Sequence, residues 1–413
     1  MKVIVAHPFQ QHSFAVANAI KNSEIDIKYV TTVYLKKYTI TYLLSKIAKG
    51  AIKTRILGRR TEGLSDEDVI VLVEWANLIL LLLQRIDKSK KIYNYWYWKT
   101  IDLFNHALLK IVKKEKPDAI IVYDTVSASF IRNMKKEDIK TKIILDMSAP
   151  YVGFMKKMYI KEYKENPALE NCDFSSIWDI NYSRKQLYSD YELENADCFL
   201  VASELTEKSL LDSGVIREEA KIHKCIYGMN NFDENCLKLK DKKIIKIAFI
   251  GKVCVQKGAY RLFNAIDKVF RKDIEFHFYG EYEENSLYYE KYKELCFFHG
   301  HIPHNLLLKE LKCNDVVVFP SLADGFGLSV TEGLLRNNIC LCSVYSGVSE
   351  LIQDGINGYI FDPFNEEELI DLINRLEKKN LKKMQCASKI TVKQYTIENY
   401  NNQVVAAVKD CII

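Results

Sequence analysis

Short apolar runs alternate with longer amphipathic stretches along the whole chain. This alternation is typical of parallel sheets whose strands are joined by crossover helices. The strands predicted in the first half are Val3–Ala6, Ile27–Thr31, Ala119–Tyr123, Lys142–Leu145 and Cys198–Ala202. Those predicted in the second half are Ile247–Ile250, Glu275–Tyr279, Val316–Phe319 and Ile339–Ser343. The charged segment Leu237–Lys243 separates the two sets and is the predicted linker. The pattern therefore predicts an α/β protein with two parallel sheets, whose ligands bind beyond the carboxyl ends of the strands.

Composition narrows the class of protein. A chain of 413 residues that is 48% hydrophobic is long enough for two domains with their own cores. The net charge of +5 is too small to indicate a nucleic-acid partner, and no nucleic-acid-binding motif is present. The 11 cysteines are scattered without paired metal-ligand spacing, which favours reduced thiols in a cytoplasmic protein.

Two apolar segments bear on the cellular location. The start, Met1–Ala6, has the pattern of a buried strand rather than of a secretory signal. The longest apolar stretch, Val69–Leu83, contains Glu74 and Asn77 and is short for a membrane span. We therefore expect it to be a core helix of a cytoplasmic protein.

A glycine-rich loop bounded by two acids, Asp324–Glu332, follows the predicted strand Val316–Phe319 and Pro320. Because residues 329–335 can form a helix, the loop is predicted to be a strand-to-helix turn. Such a turn presents backbone N–H groups at the positive end of a helix, which suits phosphate and hydroxyl ligands. The same pattern also fits a tight turn that carries two surface carboxylates.

Here the chain resembles the family-4 retaining glycosyltransferases, which have the GT-B fold of two Rossmann-like domains facing an interdomain cleft. The segment Asp324–Glu332 is similar to the acid-x7-acid motif of that family. Further blocks match the family in the same order, namely Lys246–Lys252, Gln256–Gly258, Phe298–Gly300, Asn314–Ser321, Ser346–Glu350 and Asp354–Tyr359. The resemblance implies an N-terminal acceptor-binding domain at 1–240 and a C-terminal nucleotide-sugar-binding domain at 241–394. It also implies that residues 395–413 form a helix that crosses back to the first domain.

The resemblance assigns the donor diphosphate to two lysines. In the family, an Arg and a Lys after the first strand of the second domain neutralise the pyrophosphate as it leaves. Lys252 and Lys257 stand at these positions, and Gly251 and Gly258 beside them let the backbone approach the ligand. Lys252 replaces the family's Arg, so the charge is kept but the two-pronged hydrogen bonding is lost.

The two acids and the loops around them are assigned to the rest of the donor. Glu332 matches the acid that accepts hydrogen bonds from the nucleotide ribose, and Asp324 matches the acid that contacts the transferred sugar. Family members more often carry Glu at the position of Asp324, which leaves the identity of the sugar open. The amides of Gly325, Phe326, Gly327 and Leu328 are expected to face sugar and phosphate oxygens. Gly300 and Ile302 align with the base-binding loop, although they also fit simple loop structure.

The first domain departs from the family at two loops. The segment His7–Ser13 is rich in His and Gln where relatives are often rich in Gly. His7 and His12 are candidates for binding an acceptor phosphate or hydroxyl, or for capping the helix that follows. Tyr123 stands where many relatives have a histidine that contacts the sugar, with Asp124 beside it. Asp124 is a candidate for hydrogen bonding to sugar or acceptor, or for capping the next helix.

Three charged segments remain. Asp66–Asp68 imitates a metal-binding Asp-x-Asp motif, but Ser65 before it and the apolar run after it predict a helix N-terminus instead, so no metal site is expected. The stretch Tyr42–Arg60 contains six cations and no acids, and Lys88–Lys99 mixes lysines with aromatic residues. These segments predict contact with an anionic membrane surface. The alternative is an ordinary surface helix with its aromatic residues in the core.

Taken with these features, the resemblance implies a retaining, metal-independent glycosyltransferase that transfers a hexose-type sugar to a growing, lipid-linked surface glycan and needs no cofactor. Its partners would be a UDP- or GDP-sugar donor, a glycan or glycolipid acceptor and an anionic membrane surface, without nucleic acid. Two alternatives remain open, a nucleotide-sugar 2-epimerase of the same fold and a non-catalytic partner of another glycosyltransferase.

Overall fold

A computed structural model describes residues 1–9, 12–167, 169, 183–229 and 244–413. The predicted linker Leu237–Lys243, and with it the boundary between residues 240 and 241, lies outside the described residues.

The first domain is built on a parallel sheet of order β3-β2-β1-β4-β5-β6-β7. Its strands are β1 (Lys2–His7), β2 (Asp26–Thr31), β3 (Val69–Val71), β4 (Ala119–Tyr123), β5 (Lys142–Met147), β6 (Cys198–Val201) and β7 (Lys221–Lys224). Val3, Ile4 and Val5 are all fully buried. Consecutive buried residues on one strand require helices on both faces of the sheet.

The described helices of this domain connect or flank these strands. They are α1 (Ser13–Lys21), α2 (Ile40–Ile47), α3 (Gly50–Leu57), α4 (Glu74–Ile86), α5 (Lys91–Glu115), α6 (Ala128–Lys136), α7 (Val152–Glu165), α8 (Ser183–Asn195) and α9 (Glu204–Leu211). Side-chain caps fix the starts of two of them. Thr39 accepts a hydrogen bond from the Tyr42 amide at α2, and Ser203 accepts one from the Thr206 amide at α9.

The second domain repeats this design on a parallel sheet of order β10-β9-β8-β11-β12-β13. Its strands are β8 (Ile245–Ile250), β9 (Ile274–Tyr279), β10 (Cys296–Gly300), β11 (Val316–Phe319), β12 (Ile339–Ser343) and β13 (Gly358–Phe361). Its helices are α10 (Ala259–Lys268), α11 (Leu287–Tyr292), α12 (His304–Leu311), α13 (Leu328–Leu334), α14 (Glu366–Arg375) and α15 (Lys378–Val392). Both sheets are parallel and are covered by helices, as the sequence predicted.

The last helix, α16 (Ile397–Ile412), lies on the first sheet rather than the second. Its buried residues Tyr400, Val404 and Val408 join the core cluster that contains Val3 and Ile121 of the first sheet. The chain thus passes between the domains twice, once after Met229 and once before α16, and the two crossing segments are in contact. Met229 pairs with Thr396 as an isolated bridge, and the Met229 amide donates to the Tyr395 carbonyl over 2.8 Å.

Two local predictions are wrong. The run Val69–Leu83 is not one core helix, because strand β3 ends at Val71 and α4 begins only at Glu74, after Val73 adopts a left-handed φ of 46°. Residues 66–68 form a turn before β3 instead of a helix start. Asp66 pairs with Arg60 over 2.6 Å, and Asp68 pairs with Lys21 over 2.8 Å, so both carboxylates hold the local structure.

The two domains contact each other through a buried ion pair and an apolar cluster. Arg261 of α10 donates from Nε to Glu162 of α7 over 2.6 Å, and both side chains are almost fully buried. Val152 and Tyr159 of the first domain pack in one cluster with Val255 and Leu322 of the second. α7 therefore holds the second domain close to the carboxyl ends of the first sheet.

Within the described residues, every helix is too short or too polar to cross a membrane.

Candidate active site

The loop after β8 carries the two predicted diphosphate lysines. Gly251 has a φ of +138°, and Gly258 has a φ of +66° at the end of a short 3₁₀ turn, Val255–Lys257. A Cβ on Gly258 would overlap the carbonyl of Pro320, so glycine is needed for this loop to lie against the acid loop. Lys252 is exposed and Lys257 is partly buried. The glycines thus place two cations at the carboxyl end of the second sheet.

Lys257 forms an ion pair with Asp324, which brings the predicted cation and the predicted sugar-contacting acid into direct contact. The Lys257 ammonium also lies 5.4 Å from the centre of the Phe319 ring. The other carboxylate oxygen of Asp324 accepts the Phe326 amide over 3.3 Å. The Asp324 backbone is tied to the next loop, since its amide donates to the Tyr345 carbonyl. This acid is therefore held in a fixed position.

The Gly-Phe-Gly loop faces the first domain more than the sequence suggested. Gly325 packs against Ser148, so that a Cβ there would lie 2.5 Å from the Ser148 carbonyl oxygen. The Gly325 carbonyl accepts the Ser203 hydroxyl over 2.6 Å. The Phe326 ring is buried and meets the Tyr227 ring edge-on at 5.3 Å, while its amide points to Asp324 rather than outwards.

The rest of the loop leads into α13. Gly327 adopts a φ of +99° directly before the helix, and the Leu328 side chain is about half exposed. The first amides of a helix lack intrahelical acceptors, and that the amides of residues 327 and 328 face ligand oxygens stays a prediction.

The predicted ribose acid, Glu332, lies one turn into α13 and remains partly exposed. Its Oε1 lies 2.7 Å from Nε2 of His304, the first residue of α12. Gly300 ends β10 with a φ of +67°, and Ile302 packs beside Ile250 and Tyr279. His304, two residues after Ile302 in the chain, thus connects the segment aligned with the base-binding loop to the predicted ribose acid.

In the first domain, His12 lies beside two acids at the carboxyl ends of β4 and β5. Its Nε2 is 2.9 Å from Oδ2 of Asp146, and although His12 stands at the N-cap position of α1, its side chain makes no capping hydrogen bond there. Burial lowers the pKa of His12, but attraction and hydrogen bonding from Asp146, together with attraction from Asp124, outweigh it and raise the pKa above the ordinary value. An imidazolium paired with carboxylate is favoured here.

Asp124 is buried and accepts from the Ser148 hydroxyl over 2.9 Å and from the Ser148 amide over 3.3 Å. Burial raises its pKa against the opposing effect of these hydrogen bonds. It does not cap α6, because Glu192 accepts the Thr125 and Ser127 amides at that position, each over 2.6 Å. Asp124 therefore belongs to the same polar group as His12 and Asp146.

Tyr123 and His7, the other two residues singled out in this domain, lie in its interior. Tyr123 is fully buried in the core cluster of the first sheet and lies edge-on to the His7 ring at 4.6 Å. His7 is 1% exposed, and its Nδ1 accepts the Phe9 amide over 2.8 Å. The structure thus places His7 fully in the interior and leaves His12 partly buried beside Asp146.

Sequence reasoning missed Asp146 and His304. Asp146 directly follows the predicted strand Lys142–Leu145, and a polar residue at the carboxyl end of a strand was the available signal. His304 had no such signal, because its contact with Glu332 depends on how α12 and α13 pack.

These two parallel-sheet domains match known proteins. Residues 232–393 match the family described as Glycosyl transferases group 1. A relative from Klebsiella pneumoniae, an uncharacterized 41.2 kDa protein in cps region, is 24% identical over 213 residues, which make up 49% of this chain and 58% of the relative. The matched part of this chain spans 58%, 8% and 36% of the lengths of three curated relatives, of which the Klebsiella protein is the first.

Solved structures match over nearly the whole chain. The lipopolysaccharide outer core galactosyltransferase WaaB has a TM-score of 0.66 at 14% identity, with 99% of both chains covered. Anabaena Alr3699/HepE in complex with UDP and glucose has a TM-score of 0.60 at 12% identity, with 99% of this chain and 100% of that chain covered. At these identities the likeness shows the fold. The chain has the GT-B fold, and within it residues 232–393 match the glycosyl transferases group 1 family.

Proposed function

We propose that this protein is a glycosyltransferase that moves a hexose-type sugar from a nucleotide-sugar donor to a growing glycan. The observation that carries the proposal is the meeting of Lys257, Asp324 and the Gly-Phe-Gly loop opposite Asp124 and His12 of the first domain. The solved structure of HepE with UDP and glucose supports a nucleotide-sugar donor, here a UDP- or GDP-sugar.

In this proposal the second domain binds the donor. Lys252 and Lys257 neutralise the diphosphate, and donor binding draws Lys257 away from Asp324 towards the phosphates. Glu332 accepts hydrogen bonds from the ribose hydroxyls with the oxygen that His304 leaves available. Asp324, released from Lys257, accepts a hydroxyl of the transferred sugar. Gly300 and Ile302 line the base.

The reaction is proposed to retain the anomeric configuration. As the bond from the sugar to the diphosphate breaks, charge develops on the phosphate oxygens, and preorganised lysines stabilise that charge. The departing phosphate takes the proton of the acceptor hydroxyl on the same face of the sugar. The lysines supply the positive charge, so we propose that neither a metal ion nor a protein nucleophile takes part. Asp124 and the His12–Asp146 pair position the acceptor.

We further propose that the acceptor is a glycolipid and that the protein works at the cytoplasmic face of an anionic membrane. Lys46, Lys49, Lys53 and Arg55 on or beside α2 and α3 are all exposed. Arg59, after α3, donates to the Phe9 carbonyl over 3.4 Å and so connects this basic segment to the β1 loop. A basic surface beside the acceptor loop suits a substrate held in a bilayer.

The test is incubation of the protein with labelled nucleotide-sugars and a cell glycolipid extract. Transfer of label to lipid, abolished by Lys257→Ala, is the expected result. Epimerised donor without transfer would identify a 2-epimerase instead. Unchanged donor with every sugar, although the protein binds nucleotide or lipid, would identify a non-catalytic partner and overturn the proposal.

A further inference from the structure

The outer face of α4 is apolar and uncovered. Ala76, Asn77 and Leu80 on the inner face are buried. The outer residues Trp75, Ile79, Leu82 and Ile86 are 48%, 38%, 55% and 62% exposed. Their spacing of three or four residues places all four on one stripe of the helix. Such a stripe is normally turned inward, so its exposure marks this face as an interaction surface.

The stripe continues onto the start of α5, where Ile92 is 60% and Tyr95 68% exposed. The two helices pack as an antiparallel hairpin, since the Trp96 indole N–H donates to the Ala76 carbonyl over 2.9 Å. We call the six outer residues the hairpin ridge: Trp75, Ile79, Leu82, Ile86, Ile92 and Tyr95.

Cations surround the tip of this hairpin. Arg85, Lys88, Lys90 and Lys91 are all exposed there. Asp87, the acid at the turn, accepts the Tyr93 amide over 2.8 Å and the Ser89 hydroxyl over 2.7 Å, so its charge is used within the turn. An apolar ridge with a basic rim is complementary to a surface that is anionic outside and apolar inside.

We propose that the hairpin ridge inserts among the lipids of an anionic bilayer. The cations at the tip meet the lipid phosphates, and the apolar side chains enter the boundary between headgroups and acyl chains. Nearly half of the exposed large apolar side chains in the described residues lie between Tyr38 and Tyr95, which concentrates the bilayer-facing surface in this part of the first domain. This inference deepens the proposed contact with an anionic membrane and does not depend on the proposed sugar transfer.

A second copy of the chain fits this surface less well. In a twofold dimer the same patch faces itself, and the ridge with its tip cations carries no acid that would pair with those cations across the interface. The phosphates of an anionic bilayer carry the opposite charge and lie at the depth where the cations at the tip would be. A bilayer also suits the position of α4, because the Asn77 amide group donates to the Pro8 carbonyl over 3.3 Å and so joins the hairpin to the β1 loop.

Trp75 reports insertion directly. Vesicles of phosphatidylglycerol and phosphatidylcholine in which the acyl chains carry bromine quench only tryptophan that enters the lipid. We expect tryptophan emission of the full chain to fall on these vesicles compared with unbrominated ones. Trp75→Phe should remove most of that difference.

Paired substitutions test the ridge itself. Leu82→Ser with Ile86→Ser should weaken vesicle binding by on the order of ten- to a hundredfold, because two apolar side chains lose their burial. The matched control is Phe270→Ser with Leu287→Ser, two side chains that are 91% and 84% exposed on the second domain, and it should bind as the wild type does.

Three results would overturn the proposal. The first is vesicle binding without bromine quenching, which would leave only a surface charge contact. The second is equal binding by the ridge variant and the control variant. The third is a dimer in light scattering without vesicles that the ridge variant dissociates, which would make the ridge an interface between copies.

Discussion

At the scale of residues, three of the side chains assigned to the donor are already paired within the protein. Lys257 holds Asp324, and His304 holds Glu332. Partly exposed pairs contribute little to stability, so a diphosphate or a ribose replaces them at small cost. The pairs keep the side chains oriented until the donor arrives. The sequence identified Lys257, Asp324 and Glu332 as candidate residues. It did not reveal how they pair, because the pairing depends on loops that are distant along the chain.

Substitutions of the two acids, Glu332 and Asp324, should affect the binding of different parts of the donor. Charged hydrogen bonds contribute about 1.5–3 kcal/mol, so Glu332→Gln should weaken binding of nucleoside diphosphate and of sugar donor alike by on the order of ten- to a hundredfold. Asp324→Asn should leave diphosphate binding nearly intact and lower turnover, because its proposed partner is the sugar. Calorimetry and a rate measurement on each variant decide this. Equal loss of diphosphate affinity in both would refute the division of roles.

The pairing of His12 with Asp146 predicts a pH dependence. Since the folded-state pKa of His12 is raised above the unfolded value of about 6.5, the pair's stabilisation is fully present below that value and is lost as the pH rises through the folded-state pKa. NMR titration should place the His12 pKa above 6.5, and Asp146→Asn should lower it. A titration that Asp146→Asn leaves unchanged would show that the pair does not control His12.

At the scale of elements, the repeating apolar runs were enough to predict the buried central strands of both sheets. The edge strands of both sheets, β3, β7, β10 and β13, were missed. These strands are short or carry polar residues: β7, for example, is Lys221–Lys224, with none of its residues fully buried. The left-handed backbone at Val73 divided a single apolar run into a strand and a helix, and periodicity alone does not reveal such a break.

The glycine at the tip of the acid loop sets how closely the domains approach. A Cβ at Gly325 would lie 2.5 Å from the Ser148 carbonyl oxygen and 2.9 Å from the Ala149 Cα, and both neighbours are backbone. Gly325→Ala should therefore part the domains, with a cost of about 1–3 kcal/mol. Turnover should fall more than diphosphate affinity, because the second domain alone is proposed to hold the diphosphate.

The control for this variant is Gly58→Ala, where the nearest atom to an added Cβ is 3.6 Å away. Small-angle scattering should show an expanded particle for Gly325→Ala and an unchanged one for Gly58→Ala. If the two variants gave the same scattering and the same turnover, the contact between Gly325 and Ser148 would not control the approach of the domains.

At the scale of the whole molecule, the two sheets turn their carboxyl ends towards each other, and the polar groups of both domains meet there. The Arg261–Glu162 pair and the α7 cluster hold this arrangement on one side, and the touching segments at Met229 and Thr396 hold it on the other. The sequence predicted the two domains and the cleft through its family resemblance. It did not reveal which side chains cross the cleft, because such contacts follow from the packing of the domains.

The central claim is that the second domain binds a nucleoside diphosphate through its lysines, and calorimetric titration of UDP and GDP tests it most directly. The wild type should bind one of them, more weakly as salt is added, because ions screen the attraction. Lys257→Ala should lose on the order of ten- to a hundredfold in affinity. Lys268→Ala, which removes an exposed lysine paired with Glu366, should bind as the wild type does. A wild type that binds neither nucleotide, or a Lys257→Ala variant with unchanged affinity, would contradict the account.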